Sequence, residues 1–315
     1  MRRAIFALAL LIPATASAQT PPPIQDWSKT ETVVVSAEKG PAVWHIEQNG
    51  AHVWILPTVA PVPLDLQWNS DGIEDAIRGA NAVYLPPTIS ANFWEVSWFI
   101  LTKLGELKQP DDQSLRASLP PELRARFQDW LTKVGDDPAE EYDDYLAAIA
   151  ALRLEDDYHK KMKLDGRPIE WRISGLAELA NVKTVPIATY KAIEIADEVQ
   201  LLSPEDEQHC MKDALDDLDT LALHAEAAAH AWAVGDVAGI KANYSEEKLY
   251  QCMEQTRAFA DDRERSIADT VAVIKGALAK PGHTVVVVGI GIFLRKNGVA
   301  DRLAAEGIKV EGPPG

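Results

Sequence analysis

The run Thr284-Val285-Val286-Val287-Val288 constrains the fold more than any other stretch of the chain. Five consecutive β-branched residues without polar alternation suit a strand covered on both faces, whereas a strand with one wet face alternates in period two. A strand of that kind belongs in the middle of a largely parallel sheet with helices on both sides. Gly289-Ile290-Gly291 follows at its carboxyl end, then a helix over 298–305. Gly307 leads into Ile308-Lys309-Val310-Glu311, which reads as the last strand of a βαβ-like closing unit.

The other strands lie early in the chain. Residues 42–47 and 52–56 are β-runs on either side of Asn49-Gly50, a pair that accepts the positive φ angles of a two-residue hairpin turn. A helix over 71–81 would put Ile73, Ala76, Ile77 and Ala80 on one face, and 82–85 forms a compact strand stopped by Pro86-Pro87. From 91 to about 204 the pattern is mostly helical. Pro120-Pro121 opens a helix with a Leu123, Phe127, Trp130, Leu131, Val134 stripe, and a second helix runs over 139–154. A helix over 175–180 precedes a strand at 184–187. Ser203 caps a helix with acids in its first turn, extending past Leu215, and further helices fill 222–234, 245–255 and 261–279. The fold class is therefore α/β: a mixed β-sheet with surrounding helices and a largely helical middle region.

The amino terminus reads as an export signal. Arg2 and Arg3 precede an apolar run over 4–12, Pro13 breaks it, and Ala16-Ser17-Ala18 offers a small-x-small cleavage site after Ala18. The run is shorter than the roughly 20 apolar residues that a bilayer core requires. The division expected is a signal peptide over 1–18, a flexible Pro-rich leader over 19–40 and one domain over 41–315, periplasmic or secreted. No cysteine near the cleavage site offers a lipid anchor, and no later stretch has transmembrane length. The formal net charge of −17, which loss of Arg2 and Arg3 would make more negative, repels phosphate backbones and excludes nucleic acid as a partner. Cys210 and Cys252 are the two cysteines. An even count in an oxidising compartment favours a disulfide; two buried thiols or a redox pair are the alternatives, and the wide spacing departs from a C-x-x-C redox motif.

Gly289-Ile290-Gly291 is not a dinucleotide fingerprint, because position 294 is Leu where the third glycine belongs, and no Walker loop, H-E-x-x-H or G-x-S-x-G occurs. The order of weaker features is more informative. A hairpin with Trp44 and Ile55-Leu56-Pro57-Thr58 comes first, then Asn81-Ala82-Val83-Tyr84-Leu85, a helical middle and Val185-Pro186-Ile187. Ala231-Trp232-Ala233-Val234-Gly235-Asp236 and the strand from Thr284 to Gly289 complete the series. This order resembles the TraB/GumN family over residues 41–310. That family includes the TIKI-type metal-dependent proteases and is similar in fold to the erythromycin-esterase-like proteins.

The resemblance implies a metal-dependent hydrolase, yet this chain departs from it where chemistry is expected. The family's first G-x-x-H falls on Pro57-Thr58-Val59-Ala60, so Ala60 stands for the histidine. The acid after the next strand falls on Pro86, and the glutamate of Gly-Leu-Glu-Thr falls on Ala188. An Arg-Asn pair falls on Gln255-Thr256, and the second G-x-x-H ends on Ile292. Alanine, proline and isoleucine offer no lone pair to a cation and no proton to transfer. The reading is an exported pseudoenzyme: no catalytic residue, no metal ligand and no cofactor, acting as a binding or accessory module for an unknown protein or small molecule. The alternatives are a hydrolase or peptidase with a rearranged metal site and a purely structural envelope protein.

The remaining polar residues each have an ordinary explanation beside a functional one. His45 and His52 lie on the paired strands of the first hairpin, where they could come near each other, beside the plainer reading of surface residues with no Cys, Asp or Glu placed to complete a tetrahedral set. His224 and His230 are six apart on one helix and point different ways, and His159 lies beside Lys160 and Lys161. Asp213, Asp216, Asp217 and Asp219 lack a calcium-loop pattern and suit a solvated helix face. A helix carrying Phe93, Trp94, Val96, Trp98, Phe99, Ile100, Leu101 and Leu104 is apolar almost all round, so it is either a buried cap or a partner-binding surface.

Overall fold

The computed structural model of the chain describes Trp27 and residues 40–90, 107–109, 113–135, 139–191, 202–244, 248–253 and 257–312. The signal stretch, Gln255-Thr256 and the expected helix with Phe93, Trp94, Trp98 and Phe99 lie outside the described residues.

The strands are β1 (Trp44–Gln48), β2 (Ala51–Thr58), β3 (Val62–Pro63), β4 (Ala82–Leu85), β5 (Thr88–Ser90), β6 (Leu164–Asp165), β7 (Thr184–Pro186), β8 (Thr189–Lys191) and β9 (Gly282–Gly289). Five of them form one mixed sheet in the order β1-β2-β9-β4-β7. β1 and β2 are antiparallel across the Asn49-Gly50 turn, where both residues take positive φ (54° and 76°). The other pairings in this sheet are parallel. The valine run occupies β9, the middle strand, and Val285, Val286 and Val287 are fully buried. Val286 stands opposite Ile55 of β2, and Val285 opposite Val83 of β4, so hydrocarbon continues across the sheet.

Helices cover the sheet and build a second layer: α1 (Asp71–Ile77), α2 (Leu115–Ser118), α3 (Pro121–Val134), α4 (Ala139–Asp143), α5 (Ala147–Met162), α6 (Pro168–Leu179), α7 (Pro204–Ala233), α8 (Val237–Asn243), α9 (Lys248–Met253), α10 (Arg257–Leu278), α11 (Ile290–Leu294) and α12 (Val299–Ala305). The expected stripe of α3 is buried at Phe127, Trp130, Leu131 and Val134. Ser203 and Asp206 form a reciprocal capping box at the start of α7.

Several stretches differ from the sequence reading. The helix expected over 139–154 is two, α4 and α5, and the second runs on to Met162. The helices expected from 203 past 215 and over 222–234 are one 30-residue helix, α7, about 45 Å long. Neither Gly nor Pro interrupts it after Pro204. Its first half, with Met211, Leu215 and Leu218, is buried in a helical core with α3, α5 and α9, while Ala229, Trp232 and Ala233 belong to the sheet core. The segment after α12 is not a parallel closing strand. It pairs antiparallel beside β1, with reciprocal backbone bonds between His45 and Glu311 of 2.8 and 2.9 Å. The sheet is open at both β1 and β7, with β9 midway between them, and the last segment takes the β1 edge.

Candidate functional site

In an open parallel sheet, chemistry gathers where the strands end at their carboxyl side. Thr58 closes β2 opposite Gly289 of β9, and Leu85 of β4 stands opposite Pro186 of β7. These registers bring Ala60, Pro86, Ala188 and Ile292 to one edge of the sheet. Ala60 is exposed, and the other three are half-buried. Ile292 packs against the sheet core.

Among the described residues, the Glu170 carboxylate reaches this edge, and sequence reasoning missed it. Glu170, in the first turn of α6, accepts a hydrogen bond from Thr58 Oγ1 at 3.4 Å. Its other oxygen, Oε2, is buried without a hydrogen-bond partner. Burial pushes the Glu170 carboxyl up, outweighing the lowering by its own backbone and by Thr58. A hint lay in the sequence: Pro168-Ile169-Glu170 places an acid in a helix's first turn, but such acids are common and usually solvated. Beneath Thr58, Trp232 Nε1 donates to the Pro57 carbonyl at 2.7 Å, and its ring meets Trp68 edge-on at 5.2 Å. The Arg172 guanidinium lies over Trp68 at 4.5 Å and donates to Ser70 Oγ.

Beside Thr58 opens a shallow pocket with an enclosed volume of about 20 Å³, lined by Val59, Ala60, Thr220, His224, Asn243 and Tyr244 among others. His224 Nδ1 lies 3.2 Å from Asn243 Oδ1, which holds the ring at the pocket wall. His224 thus comes from α7 to the neighbourhood of Ala60, while His230 lies one face away, next to Glu226. Trp27 packs against Tyr244, ring centroids 6.4 Å apart, and the Lys241 ammonium lies 5.6 Å from the Trp27 ring.

A family model described as the TraB/PrgY/gumN family matches residues 42–312. This chain belongs to the TraB/PrgY/gumN family. No curated protein and no solved structure matches it. In this TraB/PrgY/gumN member, Ala60, Pro86, Ala188 and Ile292 follow the carboxyl ends of β2, β4, β7 and β9. Their side chains there are hydrocarbon, with Thr58, Glu170 and His224 as the nearby polar groups.

The other candidates settle differently. Cys210 and Cys252 are joined as a disulfide with Cα atoms 5.3 Å apart, tying α7 to α9 inside the helical core. His209, Asp213 and Cys252 present ligand atoms within 4.8 Å of one another, but the Cys252 sulfur is already bonded to Cys210 and has no thiolate to offer. His159 is half-buried, and burial lowers its pKa. His45 and His52 do come together on their paired strands: their rings are hydrogen-bonded, and His283, absent from the sequence reading, packs against His52.

The acidic cluster on α7 is not a solvated face. Asp216 pairs with Arg126, Lys212 and Lys248, and Asp219 accepts from Arg126 and from Trp130 Nε1. Asp217 is only 2% exposed and accepts from the Leu249 backbone N–H at 2.8 Å, capping α9. Burial pushes its carboxyl from 3.8 up to about 6. Below the unfolded value both states are protonated. Between 3.8 and about 6 the unfolded chain ionises first, so stability falls as pH rises, and above about 6 the loss is complete. A shift of about two units corresponds to on the order of 3 kcal/mol. Asp217→Asn keeps an acceptor oxygen without the charge. Urea unfolding from pH 4 to 7 should show a flatter profile for the variant and a gain in stability above pH 6; a parallel profile would contradict the buried-acid account.

Proposed function

We propose that this chain is a non-catalytic member of the TraB/PrgY/gumN family, exported to the periplasm or secreted, that serves as a binding or accessory module. Its ligand site is the pocket beside Ala60. The observation that carries this reading is the chemistry of the sheet edge. A catalytic cation takes about three protein ligands and leaves one position open. Where the resemblance puts such groups, this chain has Ala60, Pro86, Ala188 and Ile292. Burial raises the pKa of the Glu170 carboxyl, and Thr58 donates to one of its oxygens. One hydroxyl and one carboxyl beside these four positions fall short of such a ligand set, and both can hydrogen-bond a bound molecule.

The pocket is shallow: its enclosed volume of about 20 Å³ has room for little more than a water molecule, so a ligand would enter it by one small group and rest mainly on the surrounding surface. Export is supported by the basic-apolar-small pattern of residues 1–18 and by the disulfide, which persists in oxidising compartments. Among the described residues, no helix is long and apolar enough to cross a membrane.

A second reading, a metal-dependent hydrolase or peptidase with a rearranged site, is favoured by one observation: His224 lines the pocket that holds Ala60. The two separate in a peptide-hydrolysis assay with added zinc, manganese or cobalt, run beside a fragment-binding screen. We expect turnover at the buffer background for the wild type and for His224→Ala alike. Fragment binding should be lost in Ala60→Trp, which fills the pocket from an exposed loop. Chelator-sensitive hydrolysis that disappears in His224→Ala would establish the second reading in place of the first.

A further inference from the structure

The sheet carries another cluster of ligand-bearing side chains away from the cleft. His45, His52 and His283 stand on three adjacent strands. The β2–β9 register sets His52 directly beside His283, and the β1–β2 register sets Glu47 opposite His52. His45 is two residues from Glu47 on the same face of β1. His52 is the second residue of β2 and Thr58 ends it, so this cluster lies about 20 Å from the cleft edge at about 3.3 Å per residue.

Two of its donors already stand at the spacing of a chelate. His45 Nε2 and His52 Nδ1 are 3.2 Å apart. Two nitrogens held at 2.0–2.1 Å by one tetrahedral cation stand about 3.3 Å apart. A third donor, Glu47 Oε2, is 3.9 Å from the same His52 nitrogen on a side chain 65% exposed, so a rotamer change brings it in without moving the backbone. The His283 ring lies 5.2 Å from His52, nearly perpendicular, with its own nitrogens on an exposed residue. The scaffold is rigid beneath them: Ile46, Val53 and Thr284, on the opposite face of the same three strands, are buried. Trp54 stacks on His45 at 4.1 Å and fixes that ring, and Glu311 bonds to its backbone. Ligands on strands hold their positions better than ligands on loops.

We propose that His45 and His52, closed by Glu47 and His283, form a site for a borderline divalent transition-metal ion: copper(II), nickel(II) or zinc(II). Imidazole suits these ions, and the site leaves room for water to complete the shell. The site is independent of the cleft, so its failure leaves the binding-module reading untouched, and the reverse holds too.

The test uses the untagged full-length protein in equilibrium dialysis against copper(II) and, separately, zinc(II). Loss of residues outside the ligand shell typically weakens metal affinity by about 10–100-fold, so loss of a ligand should cost at least that. The expected result is one saturable equivalent, weakened at least tenfold in His52→Ala and in His45→Ala, less in Glu47→Gln and His283→Ala, and unchanged in His224→Ala. The copper form should show nitrogen hyperfine coupling from imidazole that diminishes in each histidine variant. Circular dichroism checks that the variants fold; His52→Asn replaces any that does not. Absence of a saturable equivalent overturns the proposal. So does binding that survives both His45→Ala and His52→Ala, since the ion would then sit elsewhere.

Discussion

Replacing Cys210 and Cys252 by alanine is expected to lower the unfolding free energy by about 4 kcal/mol in the chain-entropy account, given a separation of 42 residues. The constraint acts mainly on the unfolded chain, which gains freedom once the loop is open. The folded packing changes little, because both cysteines are small and buried (0% and 2% exposed) among Met211, Leu215 and Leu249. The loss should fall first on the helical layer. α9 has only six residues and depends on the bridge and on Asp217 for its place against α7. Urea unfolding followed by circular dichroism would show the midpoint moving down, with the reduced wild type matching the double variant. A change below about 1 kcal/mol would mean that packing alone holds α9.

Trp232→Ala should be of comparable size, about 3–5 kcal/mol, as is usual when a buried tryptophan is cut back. The ring is 1% exposed and lies against Trp68, so truncation leaves a cavity between α7 and the sheet. The same change removes the donor to the Pro57 carbonyl, which steadies the backbone just before Thr58. Trp232→Phe separates the two effects: it keeps most of the volume and deletes only the N–H, at about 1–3 kcal/mol. If the indole bond positions the cleft, Trp232→Phe will weaken fragment binding at the Ala60 pocket by more than its stability loss explains. Equal stability for Trp232→Phe and the wild type would remove that bond from the account.

Much of the fold was legible because it is written in short-range pattern. The valine run announced a strand buried on both faces, and β9 is the middle of the sheet. Asn49-Gly50 announced its turn, Ser203 its cap, and Phe127, Trp130, Leu131 and Val134 their buried stripe. The order of these pieces gave the TraB/PrgY/gumN resemblance, which the match over residues 42–312 establishes. Hydrogen-bonding needs and side-chain period act within a few residues, so a linear reading sees them.

The candidate sites were less legible, since they depend on which distant segments meet. Glu170 and Thr58 are 112 residues apart and become partners only when α6 packs against the end of β2. His283 gains its place beside His52 from the parallel register of β2 and β9, and a slip of one residue would turn it to the other face. Asp217 reads as one more acid on a polar helix until Leu249 docks and removes its water. The sequence by itself determined the local elements, the α/β class and the hydrocarbon at the strand ends. Tertiary packing decided which polar groups keep water and which must find one another, because desolvation and register are properties of contacts between segments far apart in the chain.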